Sequence, residues 1–317
     1  MPLYLTEADV AATLPMTVAI AALDRACHDL AAGKAMNAPR QRVKSDGTIL
    51  NVLVASYDGR LGHKSYTTAP HGTRFWFTLY ATSGEMLAII EANTLGQIRT
   101  GAASGLATRA LARANARTLG VIGTGFQAHT QIEAICASRP IERVRVWGRN
   151  PERLRAFCTE MTARLKRPID AAAGAREAIE GADVVVTITN SMRPVFDGVW
   201  LAPGTHVNAA GANRATSVEI DVETVRRAAI ITVDDVAQAR TESGALRAAS
   251  EAGAFRWLEA VRLADIVAGR QPGRTGDDQI TLFESLGIGL WDIAVANHVY
   301  DACVTAGIGM ELPIRVP

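Results

Sequence analysis

The sequence predicts an α/β protein in which a doubly wound parallel sheet, residues 115–287, is inserted into a second, α+β unit made of residues 1–114 plus 288–317. Three observations predict this. From Thr118 the chain alternates apolar strand-like runs with helical stretches, the rhythm of a parallel sheet covered on both faces. Between Ile49 and Ala92 four strand-like runs follow one another on short links, as in a mostly antiparallel or mixed sheet. The chain also starts and ends outside the alternating region, so that region reads as an insertion, and 317 residues suit two domains better than one.

In chain order, Thr6 to Gly33 reads as two helices. Thr6 with Asp9 forms a capping-box pattern, and Pro15 suits a first helical turn. Met16, Ile20, Leu23, Cys27 and Leu30 then recur at helical spacing until Gly33. The strand-like runs are ILNVLVASY, LGHKSYT, RFWFTLY and EMLAIIEA, with Ser83-Gly84 as a hairpin turn between the last two. Thr94 with Gln97 reads as another capping box, opening a helix through about Arg113. Within it, the small residues of Gly101 to Gly105 let another backbone come close. The strands of the alternating region are TLGVIG, RVRVWG, DVVVTIT, THVNAAG and AAIITVDD, with Ile280 to Phe283 as a further candidate. A last helix runs from about Leu290 to Ala306 and stops at Gly307.

Bulk properties narrow the function. The net charge of +1 gives no field to attract nucleic acid or an anionic membrane. Cys27, Cys136, Cys158 and Cys303 are scattered with no C-x-x-C pair, which speaks against zinc or a disulfide framework and suits a reducing cytoplasm. The N-terminal stretch lacks a basic segment followed by an apolar run, so no secretory signal is expected. No run of eighteen apolar residues is long enough to span a bilayer. The six histidines show no metal-ligand spacing, so no metal is expected, and no G-x-S-x-G elbow offers a serine nucleophile.

Gly123-Thr124-Gly125-Phe126-Gln127-Ala128 matches G-x-G-x-x-A between an apolar strand and a helix. The first glycine permits a tight turn, the second lets a pyrophosphate reach backbone N–H groups, and the alanine lets helix and strand pack closely. The helix N-terminus then presents its positive dipole end to the phosphates. This is a Rossmann-type dinucleotide site, and its context of strand, helix and second strand gives the motif weight. The second strand ends in Trp147-Gly148-Arg149-Asn150. An acid there would take the ribose 2′-hydroxyl of NAD, whereas Arg149 suits the 2′-phosphate of NADP. NADP is therefore favoured, with NAD as the alternative.

Such a cofactor needs a partner substrate. Arg40, Lys64 and Arg99 could converge on one carboxylate, the arginines gripping it in bidentate fashion and the lysine moving a proton. From position alone a solvated surface charge is the better explanation for each of them.

Taken together, several stretches resemble the ornithine cyclodeaminase/mu-crystallin family over essentially the whole chain. They are Ala38-Pro39-Arg40, Gly62-His63-Lys64, Ile98 to Ser104, Gly123 to Gln127, Trp147 to Asn150, Val207 to Asn213, and Ile280 to Gly287 with Asp292. The resemblance implies a Rossmann domain beside a substrate-binding and dimerisation domain, and a homodimer. It implies that Arg40, Lys64 and Arg99 are the substrate-carboxylate and catalytic cations, and that Arg149 and Asn150 stand where NADP is held. Thr100, Thr189 and Leu286 are further cofactor positions on the same reading. Cyclodeaminases of the family place an aspartate at the position of Asn213. An amide cannot accept the proton of a substrate amine at neutral pH. The reading is therefore an NAD(P)H-dependent reductase of a small α-imino acid, such as the cyclic ketimines pyrroline-2-carboxylate or piperideine-2-carboxylate. The alternatives are a cyclodeaminase-type lyase, an alanine dehydrogenase-like enzyme and a non-catalytic ligand-binding protein.

Overall fold

In a computed structural model that describes residues 1–314, the chain forms two units. One comprises Met1–Arg99 and the chain from Ile288 onward; the other is Thr100–Gly287.

The first unit begins with β1 (Leu3–Leu5), α1 (Glu7–Thr13) and α2 (Met16–Ala31). The capping box is present: Asp9 N–H donates to Thr6 Oγ1 at 3.3 Å and Thr6 N–H donates to Asp9 Oδ2 at 2.8 Å. Pro15 stands as the residue before α2 rather than inside its first turn. The buried side of α2 carries Met16, Ile20, Leu23 and Cys27, as their spacing requires. Then come β2 (Met36–Asn37), β3 (Gln41–Ser45), β4 (Thr48–Tyr57), β5 (Arg60–Ala69), β6 (Gly72–Ala81) and β7 (Met86–Glu91), followed by α3 (Asn93–Leu111). The helix expected to begin after a Thr94–Gln97 capping box, at Leu95, starts two residues earlier, at Asn93. The N–H groups of Asn93 and Thr94 donate to the Glu7 carboxylate, at 2.8 and 2.6 Å.

With β16 (Met310–Glu311) these strands form one sheet in the order β16-β1-β7-β6-β5-β4-β2, and β3 also pairs with β4. It is mixed: β1 runs parallel to β7, and the remaining neighbours are antiparallel. Leu53, Lys64 and Phe77 are cross-strand neighbours, and all three are buried. Against the β4–β5 face packs α11 (Gly289–Ala306), buried continuously from Gly289 to Asn297 and closed by Gly307 at φ 66°.

The second unit holds β8 (Thr118–Ile122), α4 (Ala128–Ser138), β9 (Arg143–Trp147), α5 (Pro151–Leu165), β10 (Ile169–Ala171), α6 (Ala175–Ile179) and β11 (Val184–Thr187). It continues with β12 (His206–Ala209), α7 (Val222–Arg227), β13 (Ala228–Val233), α8 (Val236–Glu242), α9 (Gly244–Glu251), β14 (Ala260–Arg262), α10 (Leu263–Val267) and β15 (Ile280–Glu284). The sheet order is β10-β9-β8-β11-β12-β15-β13-β14, and all pairs are parallel. The order reverses between β8 and β11, the switch point where such sheets bind ligands beyond their carboxyl ends. β10 and β14 have three residues each, too short for a hydrophobic period to announce them.

The first boundary falls at Arg99/Thr100, not at 114/115. The small residues of α3 explain why. A Cβ at Gly101 would lie 2.3 Å from the Thr130 carbonyl oxygen, and one at Gly105 would lie 3.0 Å from Ala134 Cβ. The later turns of α3 therefore pack tightly on α4. Gln131 Nε2 donates to the Thr100 carbonyl at 3.2 Å, and Asn208 Nδ2 to Thr108 Oγ1 at 3.0 Å. No single described helix is long and apolar enough to cross a membrane.

Candidate active site

In the first unit, β5 alternates between a buried and an outer face, and its period of two turns Lys64 inward. Lys64 and Arg99 both donate to one oxygen, Asp292 Oδ1, each at 2.8 Å. Lys64 is 2 % exposed, Asp292 0 % and Arg99 7 %, and Arg40 is buried close by at 8 %. A solvated surface role is thereby excluded for all three cations. Burial pushes the Lys64 ammonium down from its ordinary value to about 7. The Arg99 and Arg40 charges add to that push, and Asp292 opposes it. The Tyr66 ring, two residues along the same strand, has its centroid 5.9 Å from Lys64 Nζ. This constellation can bind an anion and can move a proton near neutral pH.

Asp292 was not assigned a role by its sequence position. The signal was available in Gly289-Leu290-Trp291-Asp292-Ile293-Ala294-Val295, where a lone acid interrupts a helix that is apolar on every side. Such a helix is buried, and a buried carboxylate needs cationic or hydrogen-bonding partners.

In the second unit, Gly123 follows β8 at φ 123°, a conformation that favours glycine, and its N–H donates to the Trp147 carbonyl at 2.9 Å. A Cβ there would sit 2.4 Å from the Ile188 carbonyl oxygen, so the turn lies directly against the end of β11. Gly125 differs: a Cβ would meet nothing within 4 Å, which leaves the space a phosphate needs to approach the backbone. Thr124 lies against Gly148, where a Cβ would come within 3.0 Å of its side chain. Phe126 is 49 % exposed, Gln127 stands at the N-cap of α4, and Ala128 is fully buried as the motif requires. Arg149 is exposed at the carboxyl end of β9, and Asn150 caps α5 by accepting from Arg153 N–H at 2.9 Å.

Thr189, Asn213 and Leu286 occupy the loops after β11, β12 and β15. Buried carboxylates tie these loops. Glu219 accepts from Thr189 N–H at 2.5 Å and from Gly211 N–H at 2.7 Å. Asp234 accepts from Leu286 N–H at 2.6 Å and Gly287 N–H at 2.8 Å. Glu284 is fully buried and pushed up to about 7 by burial. The nearby Glu219 and Asp234 charges reinforce the rise, and hydrogen bonding from Ser243 opposes it. Thr100 is buried in α3. Arg40, Lys64 and Arg99 thus share one cluster within the first unit, and the cofactor positions lie in the second.

The model of the ornithine cyclodeaminase/mu-crystallin family matches residues 2–307. A Delta(1)-pyrroline-2-carboxylate reductase of Bacillus cereus is 39% identical over 231 residues, 73% of this chain and 71% of the relative. The alanine dehydrogenase of Archaeoglobus fulgidus is 32% identical over 98% of each chain. Among solved structures, the Thermococcus litoralis Delta(1)-pyrroline-2-carboxylate reductase in complex with NADH and L-proline superposes with a TM-score of 0.93 at 31% identity, covering 98% of this chain and 100% of that one. Its sequence motifs, its two units and these likenesses together place the chain in the ornithine cyclodeaminase/mu-crystallin family.

Proposed function

We propose that this protein reduces a small α-imino acid, a cyclic ketimine such as pyrroline-2-carboxylate or piperideine-2-carboxylate, to the corresponding amino acid. The observation that carries the reading is the buried cluster of Lys64, Arg99 and Asp292 with Arg40, in a chain whose other unit has an open glycine turn at a sheet switch point. Arg40 and Arg99 hold the substrate carboxylate and so fix the orientation of the C=N bond. Lys64, with its ammonium near neutrality, delivers or stabilises the proton on the substrate nitrogen. Gly123, Thr124, Gly125, Phe126 and Gln127 hold the cofactor pyrophosphate, and Thr100, Thr189 and Leu286 complete its surroundings. The bound nicotinamide supplies the hydride that goes to the imine carbon.

Four finer readings belong to the same proposal. Arg149 is exposed at the end of β9 and no acid occupies positions 147–151, which supports the phosphorylated cofactor, NADPH, over NADH. The outer face of the first sheet leaves Val43, Leu50, Val54, Leu61 and Trp76 exposed, which supports a homodimer through that face; the similar archaeal alanine dehydrogenase is a dimer. The four free cysteines suit a reducing cytoplasm. Asn213 supports reduction over cyclodeamination, because it can orient a substrate but carries away no proton.

The test is a panel of cyclic imines, 2-oxo acids with ammonia, and ornithine, followed by nicotinamide absorbance with both cofactors. Stoichiometric consumption of NAD(P)H with a cyclic imino acid is expected. Rapid proline formation from ornithine, with ammonia released and no net change in absorbance, would replace the reductase by a lyase.

A further inference from the structure

We propose that Asp292 is the positioning residue of this site, its single oxygen Oδ1 tying the Lys64 ammonium and the Arg99 guanidinium into one fixed constellation. The inference rests on the imino-acid reductase reading for its activity arm only. Asp292 sits in the first turn of α11 with no exposed surface, and both cations reach the same oxygen at 2.8 Å. Its other oxygen is buried with no hydrogen-bond partner among the described residues. The carboxylate is therefore satisfied through Oδ1 alone, and neither cation can move without giving up a charge-assisted hydrogen bond.

The surroundings of Lys64 make this anion decisive. Arg99 from α3, Arg40 from the segment between β2 and β3, and Asp292 from α11 are the charges acting on it, with Tyr66 on its own strand. Its cross-strand neighbours, Leu53 and Phe77, are apolar. Among the described residues whose charges act on Lys64, Asp292 is thus the carboxylate set against two arginines and a desolvated amine. Without it, burial and two like charges act on Lys64 unopposed, and its proton is released at lower pH. Asp292 touches no substrate in this role; it acts through Lys64 and Arg99.

The chain has only four lysines, Lys34, Lys44, Lys64 and Lys166. Protein carrying 13C at the lysine side chains therefore gives four titrating signals, and Lys64→Arg identifies the one from Lys64. In wild-type protein that signal should titrate near pH 7, and in Asp292→Asn about one pH unit lower or more. With a reducible imine, a shift of one unit lowers kcat/KM about 2-fold at pH 6 and about 9-fold at pH 8, because the protonated fraction of the acid falls unequally. A purely structural defect would lower activity by one factor at every pH. Asp292→Glu keeps the charge but displaces the oxygen. It should leave the Lys64 titration near neutrality while reducing kcat/KM evenly across pH, and it serves if the asparagine variant does not fold. An unmoved Lys64 signal in Asp292→Asn, or full activity in Asp292→Glu, would overturn the proposal. A wild-type enzyme inactive on every imine would refute the reductase reading instead, and the lysine titration would still decide the role of Asp292.

Discussion

Glu284→Gln offers a worked test of how the second unit stores charge. Glu284 ends β15 with 1 % of its surface exposed, and Ser243 Oγ lies 2.8 and 2.7 Å from its two carboxylate oxygens. Burial, reinforced by Glu219 and Asp234, raises its carboxyl from 4.5 to about 7. At about 1.36 kcal/mol per pH unit, that rise corresponds to about 3 kcal/mol. The sign follows from linkage. The folded form binds this proton more tightly than the unfolded chain, so the contribution is fully present below about pH 4.5. It is lost as pH rises through about 7. Glutamine cannot titrate and retains an acceptor oxygen for Ser243. The variant should match wild type near pH 4.5 and exceed it above pH 7 by about 3 kcal/mol, or roughly 6–12 °C in melting temperature. Denaturation by guanidinium at half-unit steps from pH 4.5 to 8.5 measures the difference curve. Parallel stability curves for the two proteins would show that Glu284 is ionised in the fold at neutral pH, and the reasoning would fail.

Three further outcomes are expected. Arg149→Asp should weaken NADPH binding by roughly 10- to 100-fold, the scale of one charge-assisted contact, and change NADH binding less; titration of cofactor fluorescence checks this, and equal effects on both cofactors would remove Arg149 from the site. Lys64→Ala should cut turnover by about 10²-fold or more as a lost proton donor, whereas Arg40→Ala should act mainly on KM; steady-state kinetics on the identified imine separate the two, and full turnover in Lys64→Ala would end its assigned role. Gly123→Ala puts a Cβ 2.4 Å from the Ile188 carbonyl at a φ of 123°, so it should cost about 2–4 kcal/mol in stability and reduce cofactor affinity. Thermal melts with and without NADH test it, and a variant as stable as wild type would contradict the close approach of the two loops.

Much of this molecule was legible in its residues because the signals were local. The Thr6–Asp9 capping box, the α2 stripe, the glycine turn at Gly123 and the stop at Gly307 each depend on a few consecutive side chains. The alternation of apolar strands and helices is a property of chain order, and it sufficed for a doubly wound parallel sheet. Strands of two or three residues, β1, β2, β10, β14 and β16, have no period to read, and they exist because a neighbouring strand offers them partners.

The site was legible to different depths. Arg40, Lys64 and Arg99 were weak candidates by position and took on site roles only through their place in family motifs, since a cation in sequence looks the same whether water or protein surrounds it. Only the tertiary structure decided that Lys64, 228 residues from Asp292, gives its ammonium to that carboxylate, and that Arg99 shares the same oxygen. It likewise decided that α3 changes allegiance at Arg99/Thr100, because the closeness of Gly101 to Thr130 is a fact about two helices in contact. Local chemistry is written along the chain. Burial, pairing and the protonation that follows from them depend on which distant residues share one desolvated space, and that is settled only when the chain packs.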